Sequence, residues 1–376
     1  MAKKTFHHDD KERDCGCPQS ESSYAPGAKV INMALQGGGA HGAYAWGVID
    51  RLLEDGRIEV EGLCGTSAGS MNAVVFAYGN MNDGRGGARE ALYNFWKAVS
   101  RVGALYSPLR QTPWEFINSH VNQEWNQDGS IAYHYFDLMT RVFSPYQFNP
   151  LNFNPLRQVL EKAVDFKKLK QCQSTKLFLS ATNVRTGKVR VFRTEEITAD
   201  VVMASACLPQ LFQAVRIGED HFWDGGYMGN PVLYPLFYHT DSRDVLVIHI
   251  NPIERDEVPS NSADILNRLN EITFNSSLLK EMRAIAFVNK LIEEDWIKEE
   301  HKHKLKNVIM HSIRADTVLC DLSVASKFNT DWHFLLYLRD LGREMAGQWL
   351  AANFERVGKE SSVNLREEFL DISHRG

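Results

Sequence analysis

VINMALQGGGAHGAYAWGVIDRLLEDGRIEVEGLCGTSAGSMNAVVFAY, residues 30–78, runs twice through the same three kinds of segment. Val30 to Leu35 is a short apolar run of strand length. The glycines Gly37-Gly38-Gly39 follow it, and then a helical pattern from Ala43 to Glu54 that Asp55-Gly56 stops. Ile58 to Leu63 alternates apolar and acidic residues and reads as a second strand. Gly65-Thr66-Ser67-Ala68-Gly69 then opens an apolar helix that runs to Tyr78. Strand, glycine turn and helix in repeated order predict a parallel α/β sheet.

Outward from this core, Ala88 to Ser100 and Leu156 to Val164 read as helices. Residues 103–155 between them are rich in Pro, Asn and aromatic side chains, a composition suited to a lid or binding loop. Leu177 to Val184 and Val189 to Phe192 predict a hairpin turning at Arg185-Thr186-Gly187-Lys188. Ala199 to Ala206 reads as a short helix and Val245 to Ile250 as a buried strand. Residues 261–295 place Ile265, Leu269, Ile272, Leu279, Met282 and Ala286 on one side of one long helix or two. Val308 to Ile313 is a candidate last strand, and Trp332 to Phe354 a helix. The expected organisation is a disordered polar tail over residues 1–28, a catalytic domain over 29–254, and a mainly helical part over 255–376 packed on the same domain.

The 376 residues carry a net charge of −5, which argues against a nucleic-acid partner. No apolar run approaches the roughly 18 residues of a membrane-spanning helix. The N-terminus lacks the apolar stretch of a secretory signal, and six cysteines make no disulfide scaffold, so the cytoplasm is the expected location. Cys15-Gly16-Cys17 has His7 and His8 nearby, but no zinc-type spacing recurs elsewhere, and no metal or cofactor is expected.

Gly65-Thr66-Ser67-Ala68-Gly69 matches G-x-S-x-G, a strand-to-helix turn that lifts a serine hydroxyl off the sheet edge. Small residues flank the serine because the turn leaves no room for bulk. Gly37, Gly38 and Gly39 can turn backbone N–H groups onto one oxygen, as an oxyanion hole does. The motif lacks the lysine of a phosphate loop and the spacing of a dinucleotide site. Both turns fall at the carboxyl ends of neighbouring strands. A serine hydroxyl needs a base. His41 lies inside the glycine loop and is one candidate, although orienting the loop or holding an anionic lipid group suits it as well. His221, His239, His249 and His311 stand in no motif. Asp224-Gly225-Gly226 follows the apolar pair Phe222-Trp223; alone it is as much a turn as a catalytic aspartate.

Taken together, Gln36 to Gly42, Gly65 to Gly69, the stretch Ala204-Ser205-Ala206-Cys207-Leu208-Pro209-Gln210-Leu211-Phe212, and Asp224-Gly225-Gly226 resemble the patatin-like phospholipase family in order and spacing. The resemblance spans about Val30 to Pro231. It implies a three-layer α/β fold with a mostly parallel central sheet flanked by helices and a helical C-terminal extension. It implies a lipid acyl hydrolase of phospholipase A or lysophospholipase type working through a Ser67–Asp224 dyad, with Gly37–Gly39 as oxyanion loop. Ala40, His41, Gly42, Ala68, Gly225 and Gly226 would line the site. The substrate would be a lipid acyl ester, met at a membrane surface by peripheral contact. An esterase or acyltransferase on another acyl ester, or a non-catalytic lipid-binding module, are the alternatives. Many relatives carry Arg or Lys where this chain has His41. A titratable side chain there leaves the preference for a phosphate group open and predicts activity that depends on pH near neutrality. An apolar acyl channel is expected, with Tyr133 to Phe153 and the helices over 261–295 and 332–354 as candidate walls beside the simpler reading of core packing.

Overall fold

The computed structural model describes residues 27–106, 125, 135, 138–140, 142–302, 305–320 and 322–369. The tail with Cys15 and Cys17, and most of the aromatic stretch from Tyr133, lie outside the described residues.

Eight strands form one sheet: β1 Lys29–Leu35, β2 Ile58–Gly65, β3 Lys176–Asn183, β4 Val189–Arg193, β5 Val215–Ile217, β6 Asp220–Asp224, β7 Asp244–Ile248 and β8 Ile309–Ile313. Their order is β5-β6-β3-β2-β1-β7-β8, with β4 paired to β3. The run β3-β2-β1-β7-β8 is parallel throughout, while β4, β5 and β6 pair antiparallel at one side. The central strands are apolar almost continuously because helices cover both faces. The side chains divide by alternation: Met33, Leu35, Leu246 and Ile248 join one core, and Ala34, Val245 and Val247 join the other.

The first core lies under helices α1 Gly42–Asp55, α2 Ala68–Tyr106, α3 Pro155–Ala163 and α4 Ala199–Ser205. Helix α2 is broken at Asp83-Gly84, where the backbone leaves helical geometry, so the two helical patterns read on either side are one run with a kink. The second core lies under α5 Tyr234–His239 and α6 Ser262–Glu293. The last long helix, α7 Trp332–Asn353, packs Leu335, Leu338, Gly342, Ala346 and Trp349 inward, and Gly342 abuts the Tyr44 carbonyl of α1. Each such buried aliphatic or aromatic side chain contributes roughly 1.5–3 kcal/mol through area removed from water.

One periodicity misled. In the first half of α6, Ile265, Leu269 and Ile272 are exposed, while Glu271 and Asn275 are buried. The inward face of that half is polar because it meets Arg255 and the side chains that brace the glycine loop. Only the second half, with Leu278, Met282, Ile285 and Ala286, follows the apolar rule.

Candidate active site

The parallel strands deliver both glycine motifs to the same edge. Gln36 leaves β1 with its side chain fully buried. Its amide oxygen accepts from the backbone N–H groups of Ile250 at 2.8 Å and Asn251 at 3.0 Å. Its amide nitrogen donates to Asn275 Oδ1 at 3.0 Å and to the Asn230 carbonyl at 3.2 Å. The Gly37 N–H donates to Asn230 Oδ1 at 2.6 Å, and the Gly37 carbonyl accepts from Asn251 Nδ2 at 2.9 Å. Gly39 takes a φ of +59° and presses against the carbonyl of Lys327, so both the backbone angle and the space require glycine there.

Ser67 caps β2 with a φ of +55°, a conformation that costs a non-glycine residue of order 1–3 kcal/mol and persists only where the surroundings impose it. Gly69 makes the turn possible, since a side chain on it would collide with the Leu35 carbonyl. The Ser67 N–H donates to Ser205 Oγ at 3.0 Å, which gives the Ala204–Phe212 block a physical role. Thr66 Oγ1 lies 2.7 Å from Ser180 Oγ and donates to the Gly229 carbonyl at 2.8 Å, fastening the turn from behind.

Asp224 ends β6 and is wholly buried. Its N–H donates to the Cys207 carbonyl at 2.8 Å, and its Oδ1 accepts from the Gly226 N–H at 2.7 Å. Burial pushes its carboxyl up to about 7, against the pull of the Gly226 N–H and the Ser67 hydroxyl, which favour the charged form. The other carboxylate oxygen, Oδ2, is buried and has no hydrogen-bond partner among the described residues.

A cavity of about 300 Å³ opens over these groups. Gly38, Gly39, Ala40, Ser67, Ala68 and Asp224 line it. One wall is apolar, with Met71, Phe95, Trp96 and Val99 of α2, Leu156 of α3, and Leu208, Leu211 and Phe212. The facing wall brings Asn270 and Phe274 of α6 together with Val324, Lys327, Phe328 and Thr330. Helix α7 contributes nothing to the lining, because its apolar face is spent on α1.

Four of the residues expected to line the site stand behind the wall. Gly42 gives its carbonyl to Asn72 Nδ2 at 2.9 Å, Gly225 rests on the Ser180 carbonyl, and Gly226 rests on the Phe274 ring. His41 is 3% exposed and its Nε2 lies 2.7 Å from Ser326 Oγ. That serine already donates to the Ser323 carbonyl, so the imidazole N–H is the donor between them. Burial, with the charge of Lys327 added, drives the His41 pKa down to about 3. His41 is therefore neutral at ordinary pH, and the expected titration of the glycine loop is corrected: the groups of this cavity that titrate near neutrality are Asp224, at about 7, and Lys327, whose ammonium burial drives down to about 8. Gly37 lines nothing either, and its N–H is committed to Asn230. The Gly38 and Gly39 amides donate to no described residue.

His311 has partners of its own. Its ring nitrogens lie 3.0 Å from Asp244 Oδ1 and 3.1 Å from Ser362 Oγ, tying the C-terminal segment to the start of β7. Asn230, Asn251, Asn275 and Lys327 are the site residues that sequence reasoning passed over; Ser205 stood in a recognised block without a role.

The family model described as patatin-like phospholipase matches residues 33–236. The chain belongs to the patatin-like phospholipase family. The match reaches from β1 into α5 and takes in both glycine motifs, Ser67 and Asp224. No curated protein matches the chain. Among solved structures, VipD from Legionella pneumophila is 15% identical with a TM-score of 0.40, the match covering 88% of this chain and 68% of that one. ExoU of the type III secretion system of Pseudomonas aeruginosa, in its complex with SpcU, is 12% identical with a TM-score of 0.33 over 88% of this chain and 53% of ExoU. The chain thus spans about two thirds of the length of VipD and half that of ExoU. Among the described residues, no helix is long and apolar enough to cross a membrane, and no cluster of three or more side chains is suited to a metal ion.

Proposed function

We propose that this family member hydrolyses acyl esters of lipids, in the manner of a phospholipase A or lysophospholipase, through a Ser67–Asp224 dyad and an acyl-enzyme. The observation that carries the reading is Asp224 Oδ2, a buried carboxylate oxygen with no partner among the described residues, in one mostly apolar cavity with a serine held at positive φ. A carboxylate titrating at about 7 is a far better base for a hydroxyl than an exposed one. Asp224 would take the Ser67 proton as Oγ attacks the ester carbonyl. The Gly38 and Gly39 amides would hold the oxyanion, a donor of this kind contributing roughly 10²–10³-fold in rate. The tetrahedral intermediate would collapse to acyl-Ser67 as Asp224 returns the proton to the departing alcohol. Water, deprotonated by Asp224, would then release the fatty acid and restore the serine. The apolar wall from α2 to Phe212 suits the acyl chain. The exposed Ile265, Leu269 and Ile272 of α6, the helix that brings Asn270 and Phe274 to the cavity, support peripheral contact with a lipid surface.

The test is release of fatty acid from a phospholipid, a lysophospholipid and a short-chain ester, with Ser67→Ala alongside. The wild type should act on at least one of them, and the variant should lose at least a thousandfold, the order seen when a hydrolase nucleophile is removed. Undiminished release by Ser67→Ala would sink the dyad. Product formed only after an alcohol acceptor is added would make the enzyme a transferase.

A further inference from the structure

Of the side chains that line the cavity among the described residues, only Asp224 and Lys327 are ionisable. Lys327 sits on a short 3₁₀ turn, Ala325–Phe328, whose backbone is locked to the glycine loop by the contact between its carbonyl and Gly39. Its Nζ donates to Asn251 Oδ1 at 2.8 Å and reaches Asn270 Oδ1 at 3.5 Å. Both partners are neutral. The carboxylate that acts on it from further away, Glu271, is already engaged by Arg255 and by Arg268, the latter at 3.1 Å. Two guanidinium groups thus already pair with Glu271, and the Lys327 ammonium at the cavity wall has no carboxylate in ion-pair contact among the described residues. Asn251 also donates to the Gly37 carbonyl, so the ammonium is tied into the framework that positions the glycine loop.

A buried ammonium with no carboxylate in ion-pair contact among the described residues is costly, and the Phe274 ring face 5.8 Å from Nζ offsets only part of that cost. The cost is offset when an anion enters. An ammonium is a compact point charge with three rotatable donors, which suits a phosphate oxygen without demanding the bidentate geometry of a guanidinium. The rest of the lining is mostly apolar, so a ligand that joins an alkyl chain to an acidic group matches the cavity.

We propose that Lys327 is the phosphate subsite of this enzyme, selecting esters that carry a phosphate group close to the scissile carbonyl over neutral glycerides of the same chain length. This rests on the lipid-hydrolase reading and refines it. The wild type, Lys327→Met and Lys327→Arg are compared on 1-acyl-lysophosphatidylglycerol and on the monoacylglycerol with the same acyl chain, as the ratio of the two kcat/KM values. The ratio is independent of how much of each variant is folded. Lys327→Met should lower the ratio 10- to 100-fold, mainly through KM, the range expected for loss of one charge-assisted hydrogen bond. Lys327→Arg should restore most of it. An unchanged ratio in Lys327→Met would overturn the proposal. If the wild type cleaves neither ester, the lipid-hydrolase reading fails, and binding decides the subsite on its own. Ser67→Ala protein is then titrated with dodecyl phosphate and with inorganic phosphate, with and without Lys327→Met. Binding of dodecyl phosphate weakened at least tenfold by the second substitution would sustain the subsite, and equal binding would remove it. Inorganic phosphate binding as tightly as dodecyl phosphate would assign a free-anion site and overturn the lipid assignment.

Discussion

Replacing Asp224 by Asn should abolish hydrolysis and yet make the protein more stable, increasingly so as pH rises. The wild-type carboxyl titrates at about 7 in the folded chain and near its ordinary value of 3.8 when unfolded. Between those values the folded state binds more protons than the unfolded one, so stability falls as pH rises through the interval and levels off above about 7. At about 1.4 kcal/mol per pKa unit, a displacement of roughly three units costs about 4 kcal/mol at pH 8, of which about 2–3 kcal/mol accrues between pH 5 and pH 8. Asparagine keeps the shape and an oxygen to accept from the Gly226 N–H, but has no charge to desolvate. Urea unfolding of wild type and Asp224→Asn at pH 5 and pH 8 isolates the effect, because every other titrating group cancels in the difference. The gain on substitution should be larger at pH 8 by about 2–3 kcal/mol. A gain that is the same at both pH values, or a variant less stable than wild type at pH 8, would refute the argument that burial alone raises this carboxyl.

On the proposed dyad the same titration should set the rate. With Asp224 as base, kcat/KM on a neutral ester should climb about tenfold per pH unit below 7 and flatten above it, and His41→Asn should keep that limb in place. A limb that vanishes in His41→Asn would return the base to the histidine. His41→Arg should destabilise the protein by several kcal/mol, read as a fall in Tm, because it buries a permanent charge beside Lys327 where a neutral ring now donates to Ser326. An arginine variant as stable as wild type would show that the loop has room and counter-charge that the packing around His41 denies.

What the sequence made legible was whatever is written in consecutive residues. The apolar run Val30–Leu35 and the motif around Ser67 announce two strands, two turns and the edge where they meet, because strand burial and turn sterics act over a few neighbouring positions. The parallel core, the hairpin at Arg185–Lys188, β8 and the two long C-terminal helices follow from the same short-range signals. The framework behind the glycine loop did not show itself. Asn230, Asn251 and Asn275 are three asparagines in unrelated segments, and nothing local separates an asparagine bound for a buried network from one bound for a surface turn. Lys327 was hidden for the same reason. His41 misled in the opposite direction: its place in the motif suggested the site, but in the 3₁₀ turn after Gly38 its ring turns toward Ser326 and Phe334 rather than the cavity.

Among the described residues, three departures from good packing practice meet in one cavity: a serine at positive φ, a carboxylate oxygen without a partner, and a lysine without a carboxylate in ion-pair contact. Each lowers stability, and a scaffold kept only for its shape would lose them. The asparagine framework ties the lysine to the glycine loop, while Ser205 and the Gly226 N–H hold the serine and the carboxylate. Asn270 lies at the edge of that framework, with its Oδ1 3.5 Å from Lys327 Nζ, and it lines the cavity. Asn270→Asp would place a fixed counter-charge where an incoming anion is proposed to sit. It should raise stability, by pairing a charge that is now unpaired, and at the same time lower the preference for phosphate-bearing over neutral esters at least tenfold, by occupying the ammonium from within. Lys327→Met also removes the preference, but through loss of the cation rather than its neutralisation. A higher Tm with an unaltered preference would mean that Lys327 balances the protein's own charge and reads no substrate.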